Sequence, residues 1–400
     1  MDTKDLHNII IVLSCILMLK SRLTTQTTFD VTTFGAVGNG HSDDTQAFVQ
    51  AWNKVCNDKG NNPTMAVPAN KRFFVRPTRF MGPCSSSSIT VQIKGQIIAP
   101  NMNQFNTKTM WIVFSSVNGL VLTGTGGFSG SATFNDWWRP GLGENRPAAL
   151  RILGCTNVII KGLTFVQPPR AHIAITSCTT VTITNIQITA PQNSENTDGI
   201  DISGSSNINI QQSNIQTGDD CVAINGGCSN INITNVNCGP GHGISVGSLG
   251  RDAGIFERVE NIHVKNCTFT RTQNAARIKT VNEGNGFARM ISYENIVLVD
   301  VQNPIIIKQN YCVKQNCPSQ PSKVKVRDVS FRGFRGTTVS DVAINLKCSA
   351  STPCENIKLE GINIRSSYKK LLSASCSNAY GTSNPSNVPT CSCLKQKLSF

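Results

Sequence analysis

The sequence has little charge and very little glutamate. Only 15% of its 400 residues are charged, and glutamate occurs eight times, whereas an average soluble domain has about 25% charged residues. Glycine occurs 32 times, and isoleucine, valine, threonine and asparagine crowd the middle of the chain. Because glutamate favours helices and β-branched residues favour strands, this composition argues against a mostly helical protein.

A long apolar run is also missing. The longest one, residues 9–19, is interrupted by Ser14 and Cys15 and is too short to cross a bilayer as a helix. Its place near the N-terminus predicts a signal peptide over residues 1–26 and a mature domain over residues 27–400, with a signal anchor as the alternative. We therefore expect a secreted, extracellular protein that does not act on membranes.

Cysteine spacing of the metal-binding type is absent as well. The chain has 16 cysteines and no Cys-x-x-Cys pair, which is typical of disulfides formed in an oxidising compartment. Short loops predict three disulfides: Cys312–Cys317, Cys348–Cys354 and Cys221–Cys238. Loss of Cys15 with the signal peptide leaves an odd number, which predicts at least one free thiol.

A short phrase repeats from residue 155 onward, in which asparagine is followed by alternating apolar residues. Clear copies begin at six asparagines: Asn157, Asn207, Asn230, Asn261, Asn295 and Asn356. Thr180 and Asp328 hold the same position in two weaker copies, and successive copies are 23 to 34 residues apart. A period of this length is typical of a solenoid, and apolar alternation between Gly, Asn and Ser segments indicates short strands and turns.

These repeats predict an all-β fold of the parallel β-helix type rather than leucine-rich repeats, whose leucine positions are absent. Each coil would stack on the previous one at about 4.8 Å and bury its inward isoleucines and valines. Asparagine suits the tight turn, because it tolerates left-handed backbone geometry and its side chains can hydrogen-bond along the stack. Cys155 and Cys178 both precede this position by two residues, so we expect either a stack of thiols or a disulfide between them.

Both ends of a β-helix need protection. Residues 42–45 could cap a short helix that carries Phe48, Ala51, Trp52 and Val55 on one face, which predicts an N-terminal capping helix. The cysteine-rich tail, residues 376–393, is expected to cover the other end. The chain shows no linker, so a single domain is predicted.

Four short polar motifs interrupt the repeats: Asn196-Thr-Asp-Gly199, Gly218-Asp-Asp-Cys221, Gly241-His-Gly243 and Arg277-Ile-Lys279. From Asp198 to Asp219 is 21 residues, from Asp220 to His242 is 22, and from His242 to Arg277 is 35. Each interval is close to one coil of the predicted solenoid. The motifs are therefore expected to stack into one patch, in which three carboxylates, an imidazole and two cations line a groove along the long axis.

Each motif also has a purely structural interpretation. Asp198 could form an ordinary Asx turn, and one of the two adjacent aspartates could merely cap a turn. His242 could be a loop residue, and Arg277 and Lys279 could form a solvated edge. The joint spacing favours a site, because unrelated turns rarely fall one coil apart with their ionisable groups in the same register.

The four motifs, in this order, resemble the signature motifs of the polygalacturonases, pectin-degrading glycoside hydrolases with a right-handed parallel β-helix. The resemblance runs over residues 29–393 and includes residues 34–40, 239–251 and 303–312. It is closest to plant enzymes, including those of pollen. It implies hydrolysis of α-1,4-galacturonosidic bonds in polygalacturonate with inversion, without a metal or cofactor, by a monomeric enzyme of the cell wall.

The resemblance also implies a role for each motif residue. Asp219 matches the general acid, and Asp198 and Asp220 match the carboxylates that activate the water. His242 matches the histidine near the acid that holds the protonation state of the acid. Four further residues match substrate-binding groups: Arg277, Lys279, Tyr311 and Asn196. A general acid must keep its proton, and we expect the two neighbouring anionic carboxylates to raise the pKa of Asp219 for that purpose.

The charge of the chain agrees with an anionic substrate. Residues 251–400 contain 21 lysines and arginines against 10 acidic residues, and the whole chain has a net charge of +14. For a secreted protein, pectin is a more natural polyanion than nucleic acid, although a solvated basic face is the structural alternative. Asn232 and Asn266 begin the two N-glycosylation sequons.

Three questions stay open at the level of the sequence. A pectate lyase would cleave the same polymer by calcium-assisted elimination, but His242 and the adjacent pair of Asp219 and Asp220 argue against it. A catalytically inactive β-helix that binds wall polysaccharide is the second alternative. Exo action is favoured over endo action by the resemblance to pollen-type sequences.

Overall fold

The chain folds as a right-handed parallel β-helix, as predicted. The structure is a computed structural model that describes residues 27–105, 110–139, 141–142, 145–251, 254–312 and 319–396. The predicted signal peptide and Cys317 of one predicted disulfide lie outside the described residues. The described residues contain few helices: Thr45–Asn57 is α-helical, and Val31–Phe34 and Met102–Gln104 are single 3₁₀ turns. In the described part of the chain, no helix has the length and apolarity that crossing a membrane requires.

The described strands form two long parallel sheets that run along the axis of the solenoid. One has eleven strands, in chain order Thr78–Met81, Ile112–Ser115, Leu150–Leu153, Ile173–Thr176, Ile200–Ser203, Val222–Ile224, Ile244–Leu249, Asn274–Val281, Asn303–Tyr311, Val342–Lys347 and Ser373–Ser377. We call it the eleven-stranded sheet.

The second sheet has 21 described strands. They are Thr28–Asp30, Asn39–Asp43, Thr64–Val67, Arg72–Phe74, Ile89–Ile93, Gln96–Ile98, Leu120–Thr123, Gly127–Ser129, Thr156–Lys161, Thr164–Val166, Thr179–Thr184, Gln187–Thr189, Ser206–Gln216, Cys228–Cys238, Phe256–Lys265, Thr268–Thr270, Asn285–Val301, Lys323–Thr338, Cys354–Glu360, Asn363–Ser366 and Ala379–Ser383. Most coils contribute to both sheets, so equivalent residues of successive coils form columns along the axis.

The core consists of columns of apolar side chains, to which each successive coil adds one residue. Successive coils place Ile175, Ile202, Ile224, Val246 and Ile278 opposite one another, and all five are fully buried. Burial of each such side chain is worth about 1.5–3 kcal/mol, and the contribution recurs in every coil. The outward residues of the same strands are thereby fixed in register on the opposite face of the sheet, where the polar motifs lie.

The asparagine ladder adopts the geometry that the sequence predicts. All eight ladder positions have positive φ, between 52° and 60°. Side-chain amides hydrogen-bond along the stack, as from Asn230 Nδ2 to Asn207 Oδ1 at 3.1 Å and from Asn261 Nδ2 to Asn230 Oδ1 at 3.0 Å. The repeat therefore marks a left-handed turn position in each coil.

The cysteines include two of the predicted disulfides and several free thiols. The disulfides Cys221–Cys238 and Cys348–Cys354 are confirmed, and Cys56–Cys84 and Cys376–Cys393 join distant segments. Cys155 and Cys178 are free and buried, and the backbone N–H of Cys155 lies 3.5 Å from the Cys178 Sγ. The two thiols therefore stack on adjacent coils, which also confirms the prediction of free thiols.

Both ends of the solenoid are covered. The helix Thr45–Asn57 buries the predicted apolar face, including Phe48 and Trp52, in the main core. Within the predicted capping segment, the Asp43 carboxylate accepts the backbone N–H of Thr45, the first helical residue, at 3.1 Å. The Asp44 carboxylate instead accepts the backbone N–H of Val37 at 2.7 Å. At the other end, the tail packs Cys391 and Leu394 into the core.

Candidate active site

The four polar motifs lie on successive coils, as their spacing predicts. The first three occupy turns that enter strands of the eleven-stranded sheet: Asp198 before Ile200–Ser203, Asp219 and Asp220 before Val222–Ile224, and His242 before Ile244–Leu249. Arg277 and Lys279 lie within the next strand, Asn274–Val281. Because these strands are neighbours in the sheet, the motifs meet at a cavity of about 870 Å³.

Glycines let these turns pack closely. A Cβ atom on Gly218 would lie 2.0 Å from the carbonyl oxygen of Ser194. On Gly243, whose φ is +91°, it would lie 2.1 Å from the carbonyl oxygen of Asn274. A larger residue at either position would displace the turn that carries a motif side chain.

Asp220 is the centre of a buried ion cluster and is only 1% exposed. Its Oδ1 accepts hydrogen bonds from Arg277 Nη2 at 2.5 Å and from Ser245 Oγ at 2.8 Å, and its Oδ2 accepts one from Lys279 Nζ at 2.9 Å. Arg277 Nε donates to Ser245 Oγ at 2.7 Å. Two cations thus neutralise this carboxylate, and Oδ2 keeps one acceptor position.

Asp219 faces the cavity and pairs with His242. The ring Nδ1 of His242 lies 2.8 Å from Asp219 Oδ1, and the backbone N–H of His242 donates to the Asp219 carbonyl at 2.6 Å. Burial acts to raise the pKa of Asp219, but the hydrogen bond from His242 and the charges of His242 and two nearby cations outweigh burial and hold the pKa well below its ordinary value.

The low pKa of Asp219 contradicts the expectation that neighbouring carboxylates raise it. The reason is structural: Asp220, which was expected to repel a second negative charge, is neutralised by Arg277 and Lys279. The same cations act on Asp219. A proton on the Asp219–His242 pair can therefore pass between the imidazole and the carboxylate through the 2.8 Å contact.

Asp198 has the opposite electrostatic environment. It is 8% exposed, and burial together with the charges of three neighbouring carboxylates raises its pKa well above the ordinary value. One of these neighbours is Asp201, which hydrogen-bonds to Asp198 and whose own pKa is raised by burial against the charge of Arg170. Two of the motif carboxylates thus have pKa values displaced in opposite directions, which is typical of acid–base sites.

Several supporting residues are not evident in the sequence motifs. Arg146, which is 6% exposed, donates to Asn196 Oδ1 at 2.7 Å, and Asn196 Nδ2 lies 3.4 Å from Asp219 Oδ2. His172 donates to the Asp198 carbonyl from its backbone N–H at 2.8 Å and from its ring Nδ1 at 2.9 Å, and burial lowers the pKa of His172 to about 4.

Among the supporting residues outside the motifs, Asp201 left a signal in the sequence and Arg146 did not. Asp201 alternates with Ile200 and Ile202 on a strand, which places it on the outer face near Asp198. Arg146 and Asn196 are 50 residues apart and belong to no common motif, so their contact depends on the tertiary fold.

Tyr311 joins the predicted site from the following coil. The Lys279 ammonium lies 5.2 Å from the centroid of the Tyr311 ring, and the Lys308 ammonium lies 5.8 Å from the same centroid. Tyr311 and Lys279 both line the cavity. The aromatic ring and the ammonium groups form a surface suited to an anionic sugar.

Three groups in the site have the types of atoms that bind metals. Asp219, Asp220 and His242 each offer a ligand atom, and these atoms lie within 4.8 Å of one another. However, Arg277 and Lys279 each already bind one oxygen of Asp220. A metal cation would have to enter beside these two fixed cations, so the donor set suits proton transfer better than metal binding.

The fold and the site together define a parallel β-helix glycoside hydrolase. The sequence profile of the glycosyl hydrolases family 28 matches residues 56–393, and the chain belongs to this family. A probable polygalacturonase of Arabidopsis thaliana is 42% identical and aligns over 93% of this chain and 82% of its own length.

Solved structures agree with this assignment. The endo-xylogalacturonan hydrolase of Aspergillus tubingensis is 25% identical with a TM-score of 0.76, covering 90% of this chain and 97% of its own. An exopolygalacturonase of Thermotoga maritima is 20% identical with a TM-score of 0.70, covering 84% and 88%, and shows the fold alone. The family and its plant relatives support polygalacturonase activity for this chain.

Proposed function

We propose that this protein hydrolyses α-1,4-galacturonosidic bonds of polygalacturonate by general acid and base catalysis with inversion. The observation that carries the proposal is the Asp219–His242 pair, at 2.8 Å, facing a groove beside a carboxylate that is held by two buried cations. The pair supplies a proton, and the cations and Tyr311 suit a substrate whose every unit is an anion.

The proposed reaction has two coupled proton transfers. Asp219 delivers the proton of its pair to the glycosidic oxygen as the bond from that oxygen to the anomeric carbon breaks. A water attacks the same carbon from the opposite face and gives its proton to Asp198, with Asp220 Oδ2 available as a second acceptor for that water. The water oxygen becomes the new anomeric hydroxyl in the inverted configuration.

The raised pKa of Asp198 sets a condition on this mechanism. A general base must be ionised, and the pKa of Asp198 is raised by burial and neighbouring carboxylates. Activity should therefore fall on acidification at a higher pH than an ordinary aspartate would require. The positive charge of Arg170 lowers the pKa of Asp198 and so favours its ionised form.

The decisive experiment follows the first products from polygalacturonate. We expect new reducing ends, no unsaturated ultraviolet-absorbing product, no loss of activity with a chelator, and an inverted anomer in early NMR spectra. Asp219→Asn should lower the rate by about 10²–10⁴, whereas Asp136→Asn, outside the described cavity lining, should not. Chelator-sensitive formation of unsaturated ends would instead identify a lyase, and binding without product would identify a non-catalytic wall protein.

Exo action is the finer part of the proposal. It rests on the resemblance to pollen-type plant sequences, and the segment from Ile255 to Glu257, which lines the cavity, is a candidate for a wall of the groove. A defined oligogalacturonate should then yield monomer from the first time points while viscosity of the polymer falls slowly. A rapid fall in viscosity with mixed oligomers would establish endo action and leave the hydrolase function intact.

We further propose that the protein is a secreted monomer of the cell wall that binds pectin and no nucleic acid. The disulfides, such as Cys56–Cys84 and Cys221–Cys238, suit an oxidising compartment. Both sequon asparagines, Asn232 and Asn266, are exposed and could accept glycans. Recovery of the processed chain from the medium with the mass of one copy is the expected outcome, and retention inside the cell would contradict secretion.

A further inference from the structure

A row of basic residues lies on the N-terminal side of the site, on the same face of the eleven-stranded sheet. Register pairs Arg79 with Val113, and Val113 with Arg151. The same column continues through Ala174 to Asp201. Arg79 and Arg151 therefore project outward along the line that leads to the catalytic carboxylates.

Arg170 completes this group from the turn before Ile173–Thr176. Its Nη1 lies 3.6 Å from Asp201 Oδ2, and both Arg170 and Arg151 line the cavity that contains Asp219. We call Arg79, Arg151 and Arg170 the arginine cluster. It extends the cavity away from Lys279 and Tyr311, so cationic groups flank the catalytic carboxylates on both sides.

The arginine cluster has more positive charge than its surroundings balance. Burial and the charges of Arg170 and Arg79 lower the pKa of Arg151, and the charge of Asp201 offsets only part of this effect. The Nε of Arg151 is buried and, within the described residues, has no hydrogen-bond partner. Buried donors on cations are costly without an acceptor, so this end of the cavity suits an anion.

We propose that the arginine cluster is a carboxylate-binding subsite for a galacturonate unit. This unit would lie on the coils that precede the coil of Asp219, and so on the side of the cleaved bond that faces the N-terminal end of the solenoid. The proposal rests on the proposed function. A guanidinium fork fits a carboxylate bidentately, and a methyl ester offers no charge to it. The subsite therefore selects free galacturonate over methyl-esterified galacturonate at that position.

The position of the subsite follows from the coil spacing. Arg151 lies three strands before the coil of Asp219, which is about 14 Å along the axis at about 4.8 Å per strand. A sugar unit is comparable in length to one strand spacing, so a substrate must extend about three units to reach Arg151. Either mode of attack is compatible with this, because exo and endo enzymes both hold the polymer on at least one side.

The test compares Arg151→Gln with Arg335→Gln, an exposed arginine of the other sheet that controls for the lost charge. For polygalacturonate we expect Arg151→Gln to raise KM by about tenfold to a hundredfold with little change in kcat. This factor corresponds to the free energy that a hydrogen bond to a charged group contributes to binding. The effect should shrink as oligogalacturonates are shortened and as methyl esterification increases. Arg79→Gln, at an exposed position, should give a smaller rise in the same direction.

The outcomes distinguish a failure of the proposed subsite from a failure of the proposed hydrolase activity. If both cluster variants match Arg335→Gln on every substrate while the wild type hydrolyses polygalacturonate, the subsite is overturned and the hydrolase function stands. If the rise in KM is the same for free and esterified polymer, carboxylate recognition by the cluster is overturned. If the wild type releases no reducing ends, the proposed function fails, and the subsite that rests on it fails too.

Discussion

Replacing His242 with asparagine isolates the contribution of its proton to catalysis. Asparagine keeps a donor near the position of Nδ1, which lies 2.8 Å from Asp219 Oδ1, but it holds no titratable proton. In the wild type, the imidazole and the carboxylate can share one proton across this contact. In His242→Asn, the proton must stay on Asp219 alone, whose ordinary pKa is about 3.9.

The magnitude follows from the contribution of the acid to the rate. At neutral pH the rate should fall by about 10² to 10³, within the range that general acid catalysis typically contributes. Burial of Asp219 favours its protonated form, so we expect the lower end of this range. The loss should diminish as the pH falls toward the carboxyl range, because Asp219 then keeps its own proton.

The assay is kcat/KM for release of reducing ends from polygalacturonate between pH 4 and pH 8. The alkaline limb of the profile should move to lower pH in His242→Asn. His263→Asn is the matched control, because His263 is an exposed histidine on the other sheet, paired with Ser292. A loss of activity that is equal at every pH would refute the shared-proton mechanism and leave His242 a merely structural residue.

Further predictions concern stability and packing. Because the folded-state pKa of Asp198 is raised, ionisation of Asp198 opposes folding as the pH rises above the ordinary range of aspartate. Asp198→Asn should therefore be inactive yet more resistant to urea than the wild type at pH 7, and this gain should be absent near pH 3. A gain in urea resistance that is equal at both pH values would contradict this. Gly243→Ala would place a Cβ 2.1 Å from a carbonyl oxygen and should lower both the melting temperature and the activity. Gly154→Ala is the control, because Gly154 also has positive φ but a Cβ there would meet no atom within 4 Å, so both losses should be much smaller. Equal melting temperatures of the two variants would disprove the packing argument.

The repeat made the architecture predictable. A period of 23 to 34 residues with alternating apolar positions fixes which side chains point inward, because side chains alternate across a strand. The ladder positions all take positive φ, as asparagine permits. Motif spacing close to one coil then predicts that Asp198, Asp219, Asp220 and His242 lie together.

The protonation of the site was not predictable in the same way. The sequence shows that Asp219 and Asp220 are adjacent, and adjacency alone suggests mutual repulsion. Which carboxylate is neutralised depends on side chains from a later coil: Arg277 and Lys279 reach Asp220, and the imidazole reaches Asp219. The sign of a pKa shift depends on distances of a few ångströms between coils, which spacing along the chain does not specify.

The amino-acid sequence by itself determined the β-helix, its capping helix and the set of residues that meet at the groove, because each follows from periodicity and from the length of one coil. The tertiary structure alone decided how the charges pair, and it revealed Arg146 behind Asn196 and the cluster of Arg79, Arg151 and Arg170 beside Asp201. These contacts join residues of different coils through long side chains. Their partners are chosen by rotamer, burial and local field, which exist only after the coils have stacked.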